Sequence, residues 1–368
     1  MSLTIKDLSF FHFRNYDSFH LEMVSPITVL IGENAVGKTN VIEGIELLTS
    51  LSSFRHASLQ QLIKEKEKQS KLCAHIKDDQ RDLVIDLVIS EDKKSYFLNG
   101  KKKHSSDLKG LIPSVIFTPD DLALVKGAQS IRRSEFDRLG SQLSKNYGII
   151  KRDCENVLRH KNKLLKENPN DALLDAIDEM LITCGAQLTC YRSAFLTRFS
   201  SLISGYYSQL SSSRETLTMG FTPSWEDKPN TGSIEKYDPI YAREEMQKAL
   251  NEHRGEEKQR QRCLVGPHHD MIHYYLDGKD ATLYGSQGQQ RSIVLAYRMA
   301  ELALIEELIH QRPILLLDDV MSELDAKRRQ ELMKFIPEET QVFITTTTLA
   351  YFDDLLTENI QPVYLPLS

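Results

Sequence analysis

The stretch "ITVLIGENAVGKTNVIEGIELL", residues 27–48, sets the fold class. Its first five residues are β-branched or leucine, the short apolar run of a buried strand. Val41, Ile45 and Leu48 then recur at helical spacing. Between the two lies "GENAVGKT", Gly32 to Thr39, which fits G-x-x-x-x-G-K-[ST] in the strand–loop–helix setting that motif needs. The backbone N–H groups of Gly32, Glu33, Asn34, Ala35, Val36 and Gly37 can cradle phosphates at a helix N-terminus. Lys38 reaches the β- and γ-phosphates, and the Thr39 hydroxyl suits Mg²⁺.

A second segment, "ILLLDDVMSELD" (314–325), fits the first. Four apolar residues make a short strand of the parallel-sheet kind. Asp318 falls at its C-terminal end, where open α/β sheets place ligands. A carboxylate there can hold Mg²⁺ beside a phosphate loop, and Asp319, one residue on, can polarise an attacking water. Alone, the pair would read as solvated turn aspartates. Beside the loop at 32–39 the metal reading is preferred.

The third segment is "GSQGQQRSIVLAYRMAE" (285–301). Ile293, Tyr297, Ala300, Leu304 and Leu308 give an amphipathic helix, and Ser286 with Gln289 three residues on is a capping box. Gly288 is not explained by capping, because glycine inside a helix costs about 1 kcal/mol against alanine. A glycine in a first turn suits close approach of an anion to free N–H groups.

Together with "FRNY" (13–16), "FTPDDLALVKG" (117–127) and "GPHHD" (266–270), these segments resemble, in order, the motifs of the RecF family of SMC-type ABC ATPases. The resemblance runs over nearly the whole chain. It implies ATP and Mg²⁺ as cofactors and Lys38, Asp318 and Asp319 as the catalytic group. It implies that Ser286, Gln287, Gly288 and Gln289 form a signature motif that completes the nucleotide held by a second copy, hence an ATP-dependent homodimer. Ser322 to Asp325 would form the D-loop crossing that interface. Asn34 and Asn40 would assist around the phosphate loop, and Arg14 would touch the nucleotide. Duplex DNA and single-strand–duplex junctions are the implied substrate, with RecR and RecO as partners, in recombinational repair, replication restart and the SOS response. Ala35 stands where glycine is common in such loops. Thr345 to Thr347 replace a frequent histidine, His269 replaces a usual arginine, and no clear lid glutamine accompanies Asp120 and Asp121. These departures bear on hydrolysis rate more than on nucleotide binding.

The middle of the chain reads differently. Ile150, Cys154, Val157, Leu158, Leu164 and Leu165 mark one helix, and "ENPND" breaks it with Asn170 or Asp171 as the next cap. Leu173, Ile177, Leu181, Cys184, Leu188, Tyr191, Phe195, Leu202 and Tyr206 mark a second helix of about 35 residues, roughly 50 Å long. Two such helices predict an antiparallel arm. Arg152, Arg159, Lys163 and Lys166 lie within about 60° of one another, opposite the first helix's apolar face. That stripe reads either as a solvated face or as a DNA contact made through phosphates. Lys101 to Lys103 are a weaker candidate of the same kind. "RDLVIDLVISEDKKSYFLNGKK" predicts a hairpin followed by an Asn99-Gly100 turn.

Bulk properties narrow the function classes. A net charge of -6 confines any nucleic-acid contact to a local basic surface. No apolar run is long enough to span a bilayer, and the N-terminal stretch lacks the pattern of a signal peptide. The five cysteines form no C-x-x-C pair and read as reduced thiols. His268, His269 and His273 fall in strand-like sequence, where residues four apart stand roughly 13 Å apart and cannot share one Zn²⁺.

The expectation is an α/β fold: a P-loop ABC-type ATPase head with a mixed sheet, assembled from 1–128 and 258–368, with an α-helical arm domain inserted at 129–257. The expected function is an ATP-dependent DNA clamp with weak DNA-stimulated ATPase activity, cytoplasmic and nucleoid-associated, with no membrane partner. Two other readings are a nucleotide-switched DNA-binding module of negligible turnover and a transporter-type ATPase subunit.

Overall fold

The computed structural model describes residues 3–366 except 168, 212–213, 227–233, 235–236, 338 and 353–359. The chain divides into two compact units, Met1–Asp121 with Ile305–Ser368, and Leu122–Leu304.

The first unit holds an all-parallel sheet with strands in the order Ile360–Tyr364, Ile27–Ile31, Val342–Thr346, Ile314–Asp318 and Ser114–Phe117. The last three are buried at every position, as strands covered on both faces must be. A second sheet is wholly antiparallel, in the order Tyr16–Glu22, Thr4–Phe13, Gln69–Lys77, Asp82–Ser90, Lys94–Leu98 and Lys101–Lys103. It alternates instead: Ser70, Leu72, Ala74 and Ile76 point inward from the third of these strands. Asn99 and Gly100 turn the last hairpin at φ 49 and 73, the paired left-handed conformation that Asn-Gly favours.

The helix Lys38–Thr49 sits in the core of this unit. Val41, Ile42, Ile45 and Leu48 share one apolar cluster with Phe10, Leu72 and Leu87 of the antiparallel sheet and Leu316 and Phe343 of the parallel one. Gly44 makes the closest approach possible: a Cβ there would lie 2.5 Å from the Phe10 ring. Two acids on this helix, Glu43 and Glu46, are fully buried. Glu43 is held by a two-pronged pair with Arg14 at 2.7 and 2.8 Å and by the Ser53 hydroxyl at 2.6 Å. A carboxylate in such surroundings is tolerated because its oxygens are hydrogen-bonded.

The second unit is mainly helical. Helices Lys145–Lys166 and Asp171–Leu210 run antiparallel, since Tyr147 packs on Tyr191 at one end and Lys161 pairs with Asp178 toward the other. Asn170 caps the second helix through Leu173 N–H. That helix has 40 residues, a little beyond the expected 35. A third helix, Pro239–Arg260, packs beside them, and the charged run 251–262 is mostly its C-terminal half. Its Glu257 faces inward to the fully buried Lys161 at 2.6 Å, with Asp178 at 2.7 Å on the same ammonium. A three-stranded antiparallel sheet, Lys279–Asp280, Met271–Leu276 and Leu217–Thr222, completes the unit.

The limits of this unit lie outside the 129–257 boundaries read from sequence. Residues 258–304 belong with it because Met271–Leu276 pairs with Leu217–Thr222, and because Arg132 donates to the Ile272 carbonyl at 3.0 Å. At its centre Arg192, 3% exposed, bridges Asp137 at 2.9 Å and Asp270 at 2.8 Å and also donates to the Pro267 carbonyl.

Candidate nucleotide site and signature tip

The phosphate loop leaves the strand Ile27–Ile31 and ends where Lys38 opens the helix. Gly37, the N-cap, has φ 112, and a Cβ there would collide with the Tyr16 hydroxyl at 2.6 Å and the Asn15 amide at 2.8 Å. Ala35 also sits at positive φ, 69°. That conformation costs a Cβ-bearing residue about 1–2 kcal/mol, which explains why glycine is common there. The Lys38 ammonium donates to the carbonyls of Gly32 at 2.7 Å and Glu33 at 2.8 Å, so it is folded over the loop. Burial lowers its pKa, and the carboxylates of Asp319 and Asp318 oppose that shift.

Asp318 ends its strand 6% exposed. One of its oxygens accepts from the Thr39 hydroxyl at 3.0 Å and from the Thr345 hydroxyl at 2.8 Å. Burial raises its pKa, and those two hydroxyls oppose the rise. Thr345 in turn accepts from the Asp319 backbone N–H at 2.8 Å. Asp319 stands at φ 52, a left-handed conformation uncommon for a residue with a side chain. The oxygens of Thr39 and Asp318 are hard donors, and an octahedral Mg²⁺ with bonds of about 2.1 Å sets neighbouring ligand oxygens about 3 Å apart. Their 3.0 Å separation fits that ion.

A cleft of about 330 Å³ opens over the loop, lined by its residues together with Asn40, Arg55, Asp319 and Thr345. Arg55 donates to Asn40 at 2.9 Å and stands 3.7 Å from Glu43. Asn40 donates to Asn15 at 2.7 Å, and Asn15 donates to the Val36 carbonyl at 3.3 Å. Arg55, Asn15 and the linking role of Thr345 were not assigned from sequence. Only "FRNY" pointed toward Asn15. Arg14, carried over as a nucleotide contact, is bound to Glu43 and to the Gln61 carbonyl at 2.8 Å.

In the segment 322–325 the Ser322 hydroxyl donates to the Asp319 carbonyl at 2.8 Å, and Asp325 caps the helix Ala326–Phe335 through Arg328 N–H.

In the second unit the helix Gln287–Ile309 begins with the capping box read from sequence. Ser286 N–H donates to the Gln289 side chain at 2.7 Å, and Gln289 N–H donates to the Ser286 hydroxyl at 3.3 Å. Ser286 and Gln287 are exposed. Gln289 also donates to Glu215 at 2.7 Å. On the first arm helix, Arg152, Arg159, Lys163 and Lys166 are all exposed, while Cys154, Val157 and Leu165 are buried on the other face.

"GPHHD" forms a turn rather than a ligand set. Gly266 at φ 140 lets His268 close in, with its ring 3.1 Å from where a Cβ would sit, and Asp270 joins Arg192. Burial, with His269 beside it, pushes the His268 pKa down to about 3. His269 and His273 shift the same way, also by burial first. Below an unfolded-state value near 6.5 the unfolded chain takes up protons that native His268 refuses, so stability falls as pH drops toward 3. His268→Gln should flatten that limb, seen as a smaller loss of the urea midpoint between pH 7 and pH 5 than in the wild type. An equal loss would show that His268 does not contribute.

Comparison with known proteins identifies the family. The family model described as the RecF/RecN/SMC N terminal domain matches residues 4–363. The DNA replication and repair protein RecF of Alkaliphilus oremlandii is 36% identical over 366 residues, 99% of this chain and 98% of the relative. That of Synechococcus sp. strain JA-2-3B'a(2-13) is 35% identical over 357 residues, 95% and 92% of the two chains. A solved recombination mediator protein RecF bound to ATP, of the RecFOR pathway, superposes with TM-score 0.88 at 30% identity, covering 99% of this chain and 98% of that one.

Proposed function

The chain belongs to the RecF family within the RecF/RecN/SMC class, and from that premise we propose that it is an ATP-operated DNA clamp of recombinational repair and replication restart. Its α/β fold is that of an ABC-type ATPase head with an inserted helical domain. The relatives' role in DNA replication and repair and the ATP of the solved relative come to this chain by that kinship.

One observation carries the reading. Thr39 and Asp318, 279 positions apart in sequence, meet at 3.0 Å beside an ammonium folded over a phosphate loop. Lys38 would leave its two carbonyls for the β- and γ-phosphates, countering their charge. Thr39 and Asp318 would hold Mg²⁺, which when bound neutralises charge between the same two phosphates. Asp319 would orient the attacking water, and Arg55 supplies a second cation to the phosphates. Catalysis is then positioning and electrostatics. The signature tip of a second copy closes the site: Ser286 releases its long 3.3 Å bond from Gln289, and N–H groups of the first turn, Gly288 included, face the γ-phosphate. Closing two heads brings two basic arms onto duplex DNA or a single-strand–duplex junction. Arg152, Arg159, Lys163 and Lys166 contact phosphates there, so binding weakens steeply with salt. RecR and RecO are the partners this kinship supports.

Sedimentation with and without ATP, at low and high salt and with duplex DNA, tests the whole reading. ATP should produce a dimer and DNA should join it at low salt. A monomer under every condition would refute it. A second reading, a switch with negligible turnover, is favoured by Thr345 to Thr347, which occupy the place of a frequent histidine. Asp319→Asn decides between them: an enzyme accumulates the ATP-bound dimer several-fold, and a pure switch is unchanged. The transporter reading has no observation in its favour; among the described residues no helix is long and apolar enough to cross a membrane.

A further inference from the structure

A nucleotide base needs an apolar or aromatic surface, because its faces stack and its solvation is poor beside that of phosphate. The cleft over the phosphate loop does not offer one among the described residues. Its lining is the loop itself with Asn40, Arg55, Asp319 and Thr345. These groups suit the phosphates, and none of them is aromatic.

Such a surface lies beside the signature tip. Leu283 and Tyr284 are 74% and 72% exposed, more than any other large apolar residue described except Val24. They end a short helix, Ala281–Tyr284, that is fixed in place. Asp280 caps it through Thr282 N–H at 2.7 Å, and Arg132 donates to the Thr282 hydroxyl at 2.9 Å. The nearly buried Gln290 donates to the Gly285 carbonyl at 2.9 Å, joining that helix to the signature helix. Gly285 closes the short helix itself, donating its N–H to the Ala281 carbonyl at 3.1 Å, and a Cβ there would lie 2.5 Å from that carbonyl oxygen. The two side chains are therefore held in water by a rigid base, an arrangement that an unpartnered surface does not need. Two residue steps, at most about 7 Å of chain, separate Tyr284 from Ser286. With the ring's own length added, that reach matches the span from a terminal phosphate to a base.

We propose that Tyr284, backed by Leu283, covers the base of the nucleotide held by the phosphate loop of a second copy, so that base recognition is supplied across the dimer interface. The proposal rests on the signature reading above. It makes the isolated copy a weakly selective phosphate binder and the closed pair a selective adenine nucleotide binder.

The test uses the full chain, with ATP and inorganic triphosphate as probes. Self-association is read by sedimentation, and nucleotide affinity is read at protein concentrations below dimerisation. Base–aromatic stacking is worth roughly tenfold per contact, and a symmetric pair contains two. Tyr284→Ala should therefore raise the ATP-driven dimer dissociation constant about a hundredfold, leave affinity in the single copy within twofold, and be rescued by Tyr284→Phe. Wild type driven by triphosphate should behave like Tyr284→Ala driven by ATP. If Tyr284→Ala weakens both probes equally, the ring touches protein rather than base and the proposal is overturned. If Tyr284→Ala dimerises normally with ATP while Ser286→Arg cannot, the proposal fails and the signature reading stands. If Ser286→Arg dimerises as well, the signature reading fails with it.

Discussion

Lys38→Met should abolish nucleotide-driven self-association at concentrations where the wild type is dimeric, and it should leave the fold intact. The ammonium already lies over the loop, held by two of its carbonyls at 2.7 and 2.8 Å. Its partial desolvation strengthens whatever anion it meets. Hydrogen bonds to charged groups contribute about 1.5–3 kcal/mol each, so losing contacts to two phosphates weakens binding by roughly two to four orders of magnitude. The variant also leaves Asp318 and Asp319 facing the triphosphate with one fewer cation, which increases the loss. Methionine keeps an unbranched apolar stem of similar length. Titration with a fluorescent ATP analogue gives the affinity, and urea unfolding checks the fold. Binding within tenfold of wild type would show that the ammonium does not reach the phosphates.

Arg192→Met should give the largest change in stability, about 3–5 kcal/mol, the usual result of removing one partner from a buried ion network. Arg192 touches Asp137, Asp270 and the Pro267 carbonyl, and Asp270 is fully buried. Without the guanidinium two carboxylates remain in the interior of the second unit. Burial already raises the Asp270 pKa, and Arg192 opposes the rise. In the variant that opposition is gone, so native Asp270 takes up a proton more readily than the unfolded chain does. The destabilisation is therefore largest at neutral pH and shrinks as pH falls. Adding Asp137→Asn and Asp270→Asn should recover part of the loss, because the unpaired charges are removed. Urea midpoints at pH 7 and pH 5 measure both effects. A midpoint unmoved at pH 7 would show that the network adds nothing to stability.

Much of the nucleotide site is legible in sequence because its features are local. Residues 27–48 carry strand, loop and helix in one run, and Asp318 follows its own apolar strand directly. The capping box of Ser286 and Gln289 needs only a spacing of three. What stayed hidden depends on contacts between distant segments. Arg55 reaches the cleft through Asn40, and nothing around "SSFRH" announces that. Thr345 acquires meaning only when Val342–Thr346 and Ile314–Asp318 pair side by side. Arg14 sits in a motif, yet its partner Glu43 is a helix acid that reads as solvent-facing until the fold buries it. The limits of the second unit were hidden for the same reason. The strand Met271–Leu276 lies far down the chain from its partner Leu217–Thr222, and a charged run conceals the helix between them.

The parallel sheet also bears on how the chain is made. Ile27–Ile31 is flanked by Ile360–Tyr364 and Val342–Thr346, so its neighbours are translated more than three hundred codons after it. At roughly 5–20 residues per second the phosphate loop waits tens of seconds on the ribosome for them. Meanwhile the strands from Gln69 to Lys103 pair with near neighbours, and residues 122–304 emerge as one continuous stretch able to fold in sequence. ATP can therefore find no finished pocket on a nascent chain.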